Sequence, residues 1–410
     1  MPRRIRVLGK RRSPTKATVQ QKPRTLGVMI AGFSAFLQLY VTQPILPLLS
    51  RVFHVGPVEV GLTMTMGAMG VALAAPFAGI LADRFGRKRV VVTSAFLLAI
   101  ASLLAATSPN LGALITWRFV QGLFTPGVFS VTIAYINDEW PRAEVGRALS
   151  AYVSGTVLGG FSCRFISGQI AAHFDWHWSF AVLGILSLGA AFVISALLPP
   201  EQKHERSSMT LREIPSAMLE HLRNRMLLVT YTVGFCVLFS LMAIFTYITF
   251  YLAAPPFHLN SDALGSIFFV YLIGAAVNPL SGRAIDRFGP RKVLAFSIGA
   301  GVVGLALTFV QNIWVVGLGL TICSTGVFAS QTSASGFVGV AARTNRALAV
   351  GLYGTFYYLG GSAGAVMPGY FWNWGGWPAC AAFIATVQIA TIVLALTFWR
   401  QRPTFRTAVQ

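Results

Sequence analysis

The chain has 410 residues, 55% of them apolar and 11% charged, with a mean hydropathy of +0.66. Soluble domains carry about 25% charged residues, so this composition excludes a soluble enzyme, a disordered chain and a secreted disulfide scaffold. A polytopic membrane protein remains. The formal net charge of +20 invites a nucleic-acid reading, which the placement of the basic residues removes.

A spanning helix needs roughly 20 mostly apolar residues, and in lipid only helices and closed barrels satisfy their backbone. Twelve such runs follow one another, without the alternation of a strand. The tail 1–24 is basic, holds Ser13, Pro14 and Pro23, and is expected to be disordered. The run 25–49 is too long for a signal-peptide core and lacks a cleavage pattern, so it reads as a retained first span. It carries Gln38, Tyr40 and Gln43 around Pro44 and Pro47, prolines that open a helix's backbone ladder. Spans 58–81 and 90–107 flank a basic loop, and Glu59 stands at the lip of the second span. The fourth span, 111–135, places Arg118, Gln121, Gly122 and Thr125 on one helical stripe, which should line a water-filled cavity. Arg164 lies in the fifth span, 148–171, and 178–198 is the sixth.

The charged segment 199–225 joins a second series: 226–253, 263–281, 293–310, 313–340, 347–371 and 378–399, before the tail 400–410. The tenth span bears a stripe of Ser324, Phe328, Gln331 and Ser335, and the eleventh presents Tyr353 and Tyr357 four apart. With Gln38, Tyr40 and Gln43 these suggest a mildly polar, aromatic cavity for a small amphipathic molecule. Taken singly, each serves equally well as helix–helix glue.

If the spans alternate, every Lys and Arg except Arg51, Arg118 and Arg164 falls on one face of the membrane. Basic residues collect on the cytoplasmic side, so both termini are expected there. The positive charge is then a topology signal, the partner is the lipid bilayer, and no nucleic acid is expected. Cys163, Cys236, Cys323 and Cys380 have no paired spacing and imply neither disulfide nor metal. His173 and His177 offer only two zinc ligands, and the interfacial Trp176 and Trp178 account better for that segment. No nucleotide-binding loop appears, so no cofactor is expected, and a monomer is the expected state.

Arg118 lies seven residues into its span and Arg164 equally deep in the next, so both sit roughly 10 Å below the outer surface. A charge at a helix centre costs about 2.5–3.5 kcal/mol on insertion scales, so each needs a partner or a purpose. Their shared depth suggests one positive site; the alternative has them snorkelling or pinned to backbone carbonyls.

The chain also repeats itself. Pro76, Gly79, Asp83, Arg84, Phe85, Gly86 and Val90 recur as Pro279, Gly282, Asp286, Arg287, Phe288, Gly289 and Val293. Arg147-Ala148-Leu149 and Leu158-Gly159-Gly160 recur as Arg346-Ala347-Leu348 and Leu359-Gly360-Gly361. Two six-span halves, 25–198 and 226–399, follow, an arrangement that suits a secondary transporter with its site between the halves.

Gly79-Ile80-Leu81-Ala82-Asp83-Arg84-Phe85-Gly86-Arg87-Lys88 resembles the loop signature of the major facilitator superfamily, and Arg118-Phe119-Val120-Gln121-Gly122 resembles the fourth-span signature of its drug:proton antiporter branch. Gln43 to Pro47, Tyr152 to Gly168 and Tyr357 to Gly361 are similar to the YnfM-type, arabinose-efflux-like exporters of bacterial inner membranes. The fold implied is all-α, with twelve transmembrane helices in two pseudo-symmetric halves. The function implied is proton-coupled efflux of a small molecule by alternating access, with no enzyme activity.

By the same resemblance Asp83 faces the start of span eleven near Thr344 and Asn345, locking the outward-facing state. Arg84, Arg87 and Asp138 or Glu139 complete the network, and Arg118 takes part in coupling. Gly86 permits a tight turn, and Gly79 a close helix approach. Gly282, Asp286, Arg287 and Gly289 form a second gate, weakened by Pro290 where the first copy has a basic residue. Gly160, Cys163 and Arg164 depart from the antiporter pattern in span five. Uptake or exchange of a small organic anion is the rival function, and a non-transporting sensor on the same fold a remoter one.

Overall fold

A computed structural model describes residues 16–201, 214–342 and 346–399, all helix and connecting turns. The first span is not one helix. It runs as α1 (Lys16–Phe36), a series of turns over residues 37–42, a short 3-10 turn Gln43–Ile45, and α2 (Leu46–Phe53). Pro44 has no N–H to offer the carbonyl of Tyr40, and its ring crowds that carbonyl, so the ladder fails one turn ahead of the proline. The tail is shorter than expected, since residues 16–24 already belong to α1.

Next come α3 (Pro57–Phe85), α4 (Arg87–Ala105), α5 (Leu111–Glu139), α6 (Val145–His173) and α7 (Trp176–Leu197). A short α8 (Ile214–Arg223) precedes α9 (Arg225–Ala253). The eighth span is α10 (Ser261–Ile267) with α11 (Phe269–Phe288), the ninth α12 (Pro290–Leu307), the tenth α13 (Ile313–Ala341). Spans eleven and twelve are the two legs of α14 (Arg346–Phe398), which bends back where Gly375 and Gly376 leave helical geometry. Among the described residues, nine helices are long and apolar enough to cross a membrane. The bend in α14 adds a further pass, and the broken first span and the less apolar α6 complete the expected twelve.

The repeat is visible as geometry. Gly86 and Gly289 both turn the chain at positive φ, +96° and +84°, a conformation in which a side chain would clash. Asn110 and Asn312 both cap the helices that follow, accepting from Ala113 and Trp314 amides at 2.9 Å. Gly159 lies against the Phe33 carbonyl on α1, and Gly360 against the Phe235 carbonyl on α9, each too near for a Cβ. The echoed Leu-Gly-Gly segments therefore hold spans five and eleven against spans one and seven.

The halves meet along two seams, α3 with the first leg of α14, and α6 with α10 and α11. Thr65 donates to the Ser362 carbonyl at 2.9 Å and Ser362 returns a bond to the Thr65 carbonyl at 3.1 Å. Gly168 is packed against the Ser261 carbonyl and Gly265, while Gln169 donates to the Asp262 carbonyl at 3.2 Å. All these contacts lie away from the basic end, the end that holds the Gly86 and Gly289 turns. At the basic end a Cβ on Gly79, Gly146, Gly282, Gly351 or Gly354 would meet nothing within 4 Å. The close approach expected at Gly79 is thus not made in this conformation: that face of α3 is open, while Ala78 and Ala82 on the other face are buried.

Candidate functional site

The break in the first span sets the site. Turns over residues 37–42 leave backbone carbonyls without helical donors, which in a membrane interior cost several kcal/mol each unless satisfied. Arg118 supplies the donors. It is fully buried; its guanidinium donates to the Gln38 carbonyl at 2.7 Å and the Thr63 carbonyl at 3.3 Å, and also to the Leu39 carbonyl and Gln121 Oε1. Gln121, Gly122 and Thr125 share that burial, and Gly122 lies on the Gly67 carbonyl of α3. The stripe predicted to line a water-filled cavity packs instead between α3 and the broken span, because two facing glycines let α3 and α5 close on each other. Gln38 also turns inward, donating to Ser187 Oγ and the Leu183 carbonyl at 2.7 Å and accepting from Ser102 at 2.8 Å.

Arg164 has a different setting. It is 1% exposed and lies on the seam between the halves, where Nε donates to Gln43 Oε1 at 2.7 Å and Nη1 to the Gly160 carbonyl at 2.5 Å. Gln43 Nε2 reaches Thr246 Oγ1 on α9 at 3.4 Å, so one amide joins span five to span seven. Around the guanidinium stand Tyr40, at 4.1 Å from the ring centroid, and from the other half Tyr271 at 4.6 Å and Phe268 at 5.0 Å. A desolvated cation–π contact contributes about 2 kcal/mol, so three rings offset part of the burial cost. No carboxylate pairs with Arg164 among the described residues, and its Nη2 has no hydrogen-bond partner there.

Beside it the halves close to a narrow gap of about 10 Å³, lined by Leu39, Tyr40, Met64, Leu238, Met242 and Tyr358 among others, room for about one water. Across the C-terminal half, the Tyr353 hydroxyl donates to Gln331 Oε1 at 2.8 Å, and Tyr353 stacks on Tyr357 at 6.0 Å. Tyr357 meets Tyr358 edge-on at 5.5 Å, joining this aromatic row to the gap.

The basic end carries a second cluster. Arg87 pairs with Asp138, lies 3.5 Å from Asp83, and donates to the Ala134 carbonyl at 3.0 Å. It thereby fastens the turn between α3 and α4 to the end of α5. Glu201 accepts the Lys88 amide at 2.6 Å at the start of α4, a carboxylate where the helix dipole favours one. Arg84 points outward over the Phe85 ring. The second copy is assembled differently: Arg291 donates to the Leu396 carbonyl, while Asp286 and Arg287 are exposed and form no ion pair among the described residues. Thr344 and Asn345, the expected partners of Asp83, lie outside the described residues.

The sequence pattern of the Major Facilitator Superfamily matches residues 28–259 and 233–409. The chain belongs to that superfamily. It is 30% identical over 386 residues to the inner membrane transport protein YnfM of Escherichia coli (strain K12), covering 94% of this chain and 93% of that protein. It is 32% identical over 371 residues to an uncharacterized transporter of Buchnera aphidicola subsp. Schizaphis graminum (strain Sg), with 90% of each covered. The fold is similar to a crystal structure of the nucleoside transporter NupG in variant form, with a TM-score of 0.77 at 14% identity, over 92% of this chain and 100% of that one. The protein is therefore a major facilitator secondary transporter, a multi-pass membrane protein and not an enzyme.

Within this major facilitator fold the structure gathers Tyr40, Gln43 and Arg164 at the seam and joins Gln331, Tyr353 and Tyr357 as a neighbouring row. Gln38, Arg118 and Gln121 it ties into the N-terminal half. His173 Nδ1 contacts the Gln169 carbonyl at 2.9 Å, and His177 bonds Asp175 and stacks on Trp176. Burial works to raise the Asp175 carboxyl, but hydrogen bonds from the His177 amide and ring outweigh it and hold the group below its usual range. Phe268, Tyr271, Thr246 and Glu201 escaped the sequence reading. Phe268 and Tyr271 stand three apart on span eight, the partner of span five, and that spacing was the available signal; Glu201 had none.

Proposed function

We propose that the chain exports a small amphipathic molecule from the cytoplasm across the bacterial inner membrane by proton antiport, its two halves rocking about the seam at Gln43. The observation that carries the reading is the convergence there of side chains from both halves, Arg164 and Tyr40 with Thr246, Phe268 and Tyr271. A group held at that point senses both halves and is released when they part. The basic end is then cytoplasmic, as are both termini, and the present conformation is open toward that side. Asp83, Arg84, Gly86, Arg87 and Asp138 fasten the cytoplasmic gate, with Gly282, Asp286, Arg287 and Gly289 in its second copy. The protein acts as a monomer, without cofactor. Proton coupling and outward direction rest on the resemblance to the antiporter branch.

Everted membrane vesicles test this with a panel of cationic drugs, sugars and organic anions. Addition of a transported compound should release protons from the lumen, and Tyr40→Ala should abolish the response. Compound movement without proton movement would instead favour uptake or exchange of an organic anion through the same site.

A further inference from the structure

Arg164 has five N–H donors, and two hydrogen bonds are made, through Nε and Nη1. Three donors remain, one on Nη1 and two on Nη2, and Nη2 is buried without a hydrogen-bond partner among the described residues. The rings of Tyr40, Phe268 and Tyr271 gather about the cation, and a ring can satisfy the faces of a guanidinium but not its N–H fork. No carboxylate lies within ion-pair distance of Arg164 among the described residues. A planar, two-oxygen anion matches such a fork with two parallel hydrogen bonds. A buried cation kept without a counter-ion is better explained by a counter-ion that arrives than by a structural pin, the role Arg118 fills with its bonds to carbonyls.

We propose that Arg164 binds the carboxylate of the transported molecule, a monocarboxylate on a compact apolar body, whose apolar part enters between the halves beside Tyr40 when the gap there opens. Leu39, Met64, Ala68, Leu238 and Met242 line that gap with the rings of Tyr40 and Tyr358 and offer contact chiefly to hydrocarbon. Phe268 and Tyr271 belong to the half opposite Arg164, so parting α6 from α10 and α11 uncovers the fork, and closing them seals the bound carboxylate from water. This inference rests on the seam being the substrate site, and adds the charge of what is bound there.

The test compares acids with amides of the same shape on the full chain in lipid nanodiscs. Benzoate and hexanoate are titrated against benzamide and hexanamide, with binding read by calorimetry. The acids should bind at least about tenfold more tightly than their amides, a difference expected when a charge-assisted pair replaces a neutral one. Arg164→Gln should erase that preference and Arg164→Lys keep part of it. Equal binding of acid and amide, acid preference surviving in Arg164→Gln, or no binding by any of the four overturns the carboxylate assignment. Should Arg164→Gln fail to fold, the acid–amide ratio of the unaltered protein decides alone. The seam itself fails as the substrate site on a separate result: a compound proven to be transported whose flux is unchanged by Tyr40→Ala and Thr246→Ala.

Discussion

Two arginines of equal depth have opposite circumstances. Arg118 has carbonyl and amide acceptors for most of its donors, all from the broken first span, α3 and its own helix. Removing it strands the carbonyls of Gln38 and Leu39 in a dry interior. Arg118→Ala should therefore destabilise the fold by about 3 kcal/mol or more, seen as a lowered melting temperature and reduced monodisperse yield. A variant as stable as the parent but unable to transport would show that coupling, not support, is the residue's work. Arg164→Met removes a charge with unmet donors and keeps an apolar stem among rings, so its stability should change by less than that of Arg118→Ala. Equal losses in the two variants would argue that the rings and Gln43 satisfy Arg164 fully.

Among the helices, contrast between glycines gives the sharpest expectation. A Cβ on Gly122 falls on the Gly67 carbonyl, whereas one on Gly79 meets nothing. Gly122→Val should force α3 from α5 and lower the melting temperature, at a cost of about 1–3 kcal/mol or more, while Gly79→Ala should leave it unchanged. The span count, the half-length repeat and the Gly86 and Gly289 turns were all legible in the sequence, because twenty-residue apolarity and short glycine motifs are local properties. The break at residues 37–42 was placed only near Pro44 and Pro47, since which carbonyls lose their donors depends on where the neighbouring guanidinium reaches. The polar stripe of α5 was misjudged for a related reason. Periodicity locates Arg118, Gln121 and Thr125 on one face but says nothing of whether water or α3 covers it. The chemistry of Arg164 was half legible: its span and depth could be read, its ring of Tyr40, Phe268 and Tyr271 comes from both halves and could not.

At the scale of the whole molecule the seams are packed at Thr65–Ser362 and Gly168–Ser261, while toward the basic end the faces bearing Gly79, Gly351 and Gly354 are open. Paired cysteines at Thr65 and Ser362 should cross-link rapidly in resting membranes, and a pair at Gly79 and Gly351 slowly. An excess of transported substrate or a reversed gradient should narrow the difference; identical rates at both ends would argue against a one-sided resting state. Asp83→Asn should lower flux while leaving the amount of inserted protein unchanged, and normal flux would remove the gate from the mechanism. The chain between Glu201 and Ile214 brings a further consequence. Glu201 is fastened to α4 in its own half, and α8 packs on α9 and α14 in the other, so no described contact within either half is interrupted by a cut between them. The two pieces, 1–201 and 214–410, should then recognise each other in the bilayer through the seams alone and restore flux when produced from separate messages, the behaviour of a heterodimer that happens to be written as one polypeptide.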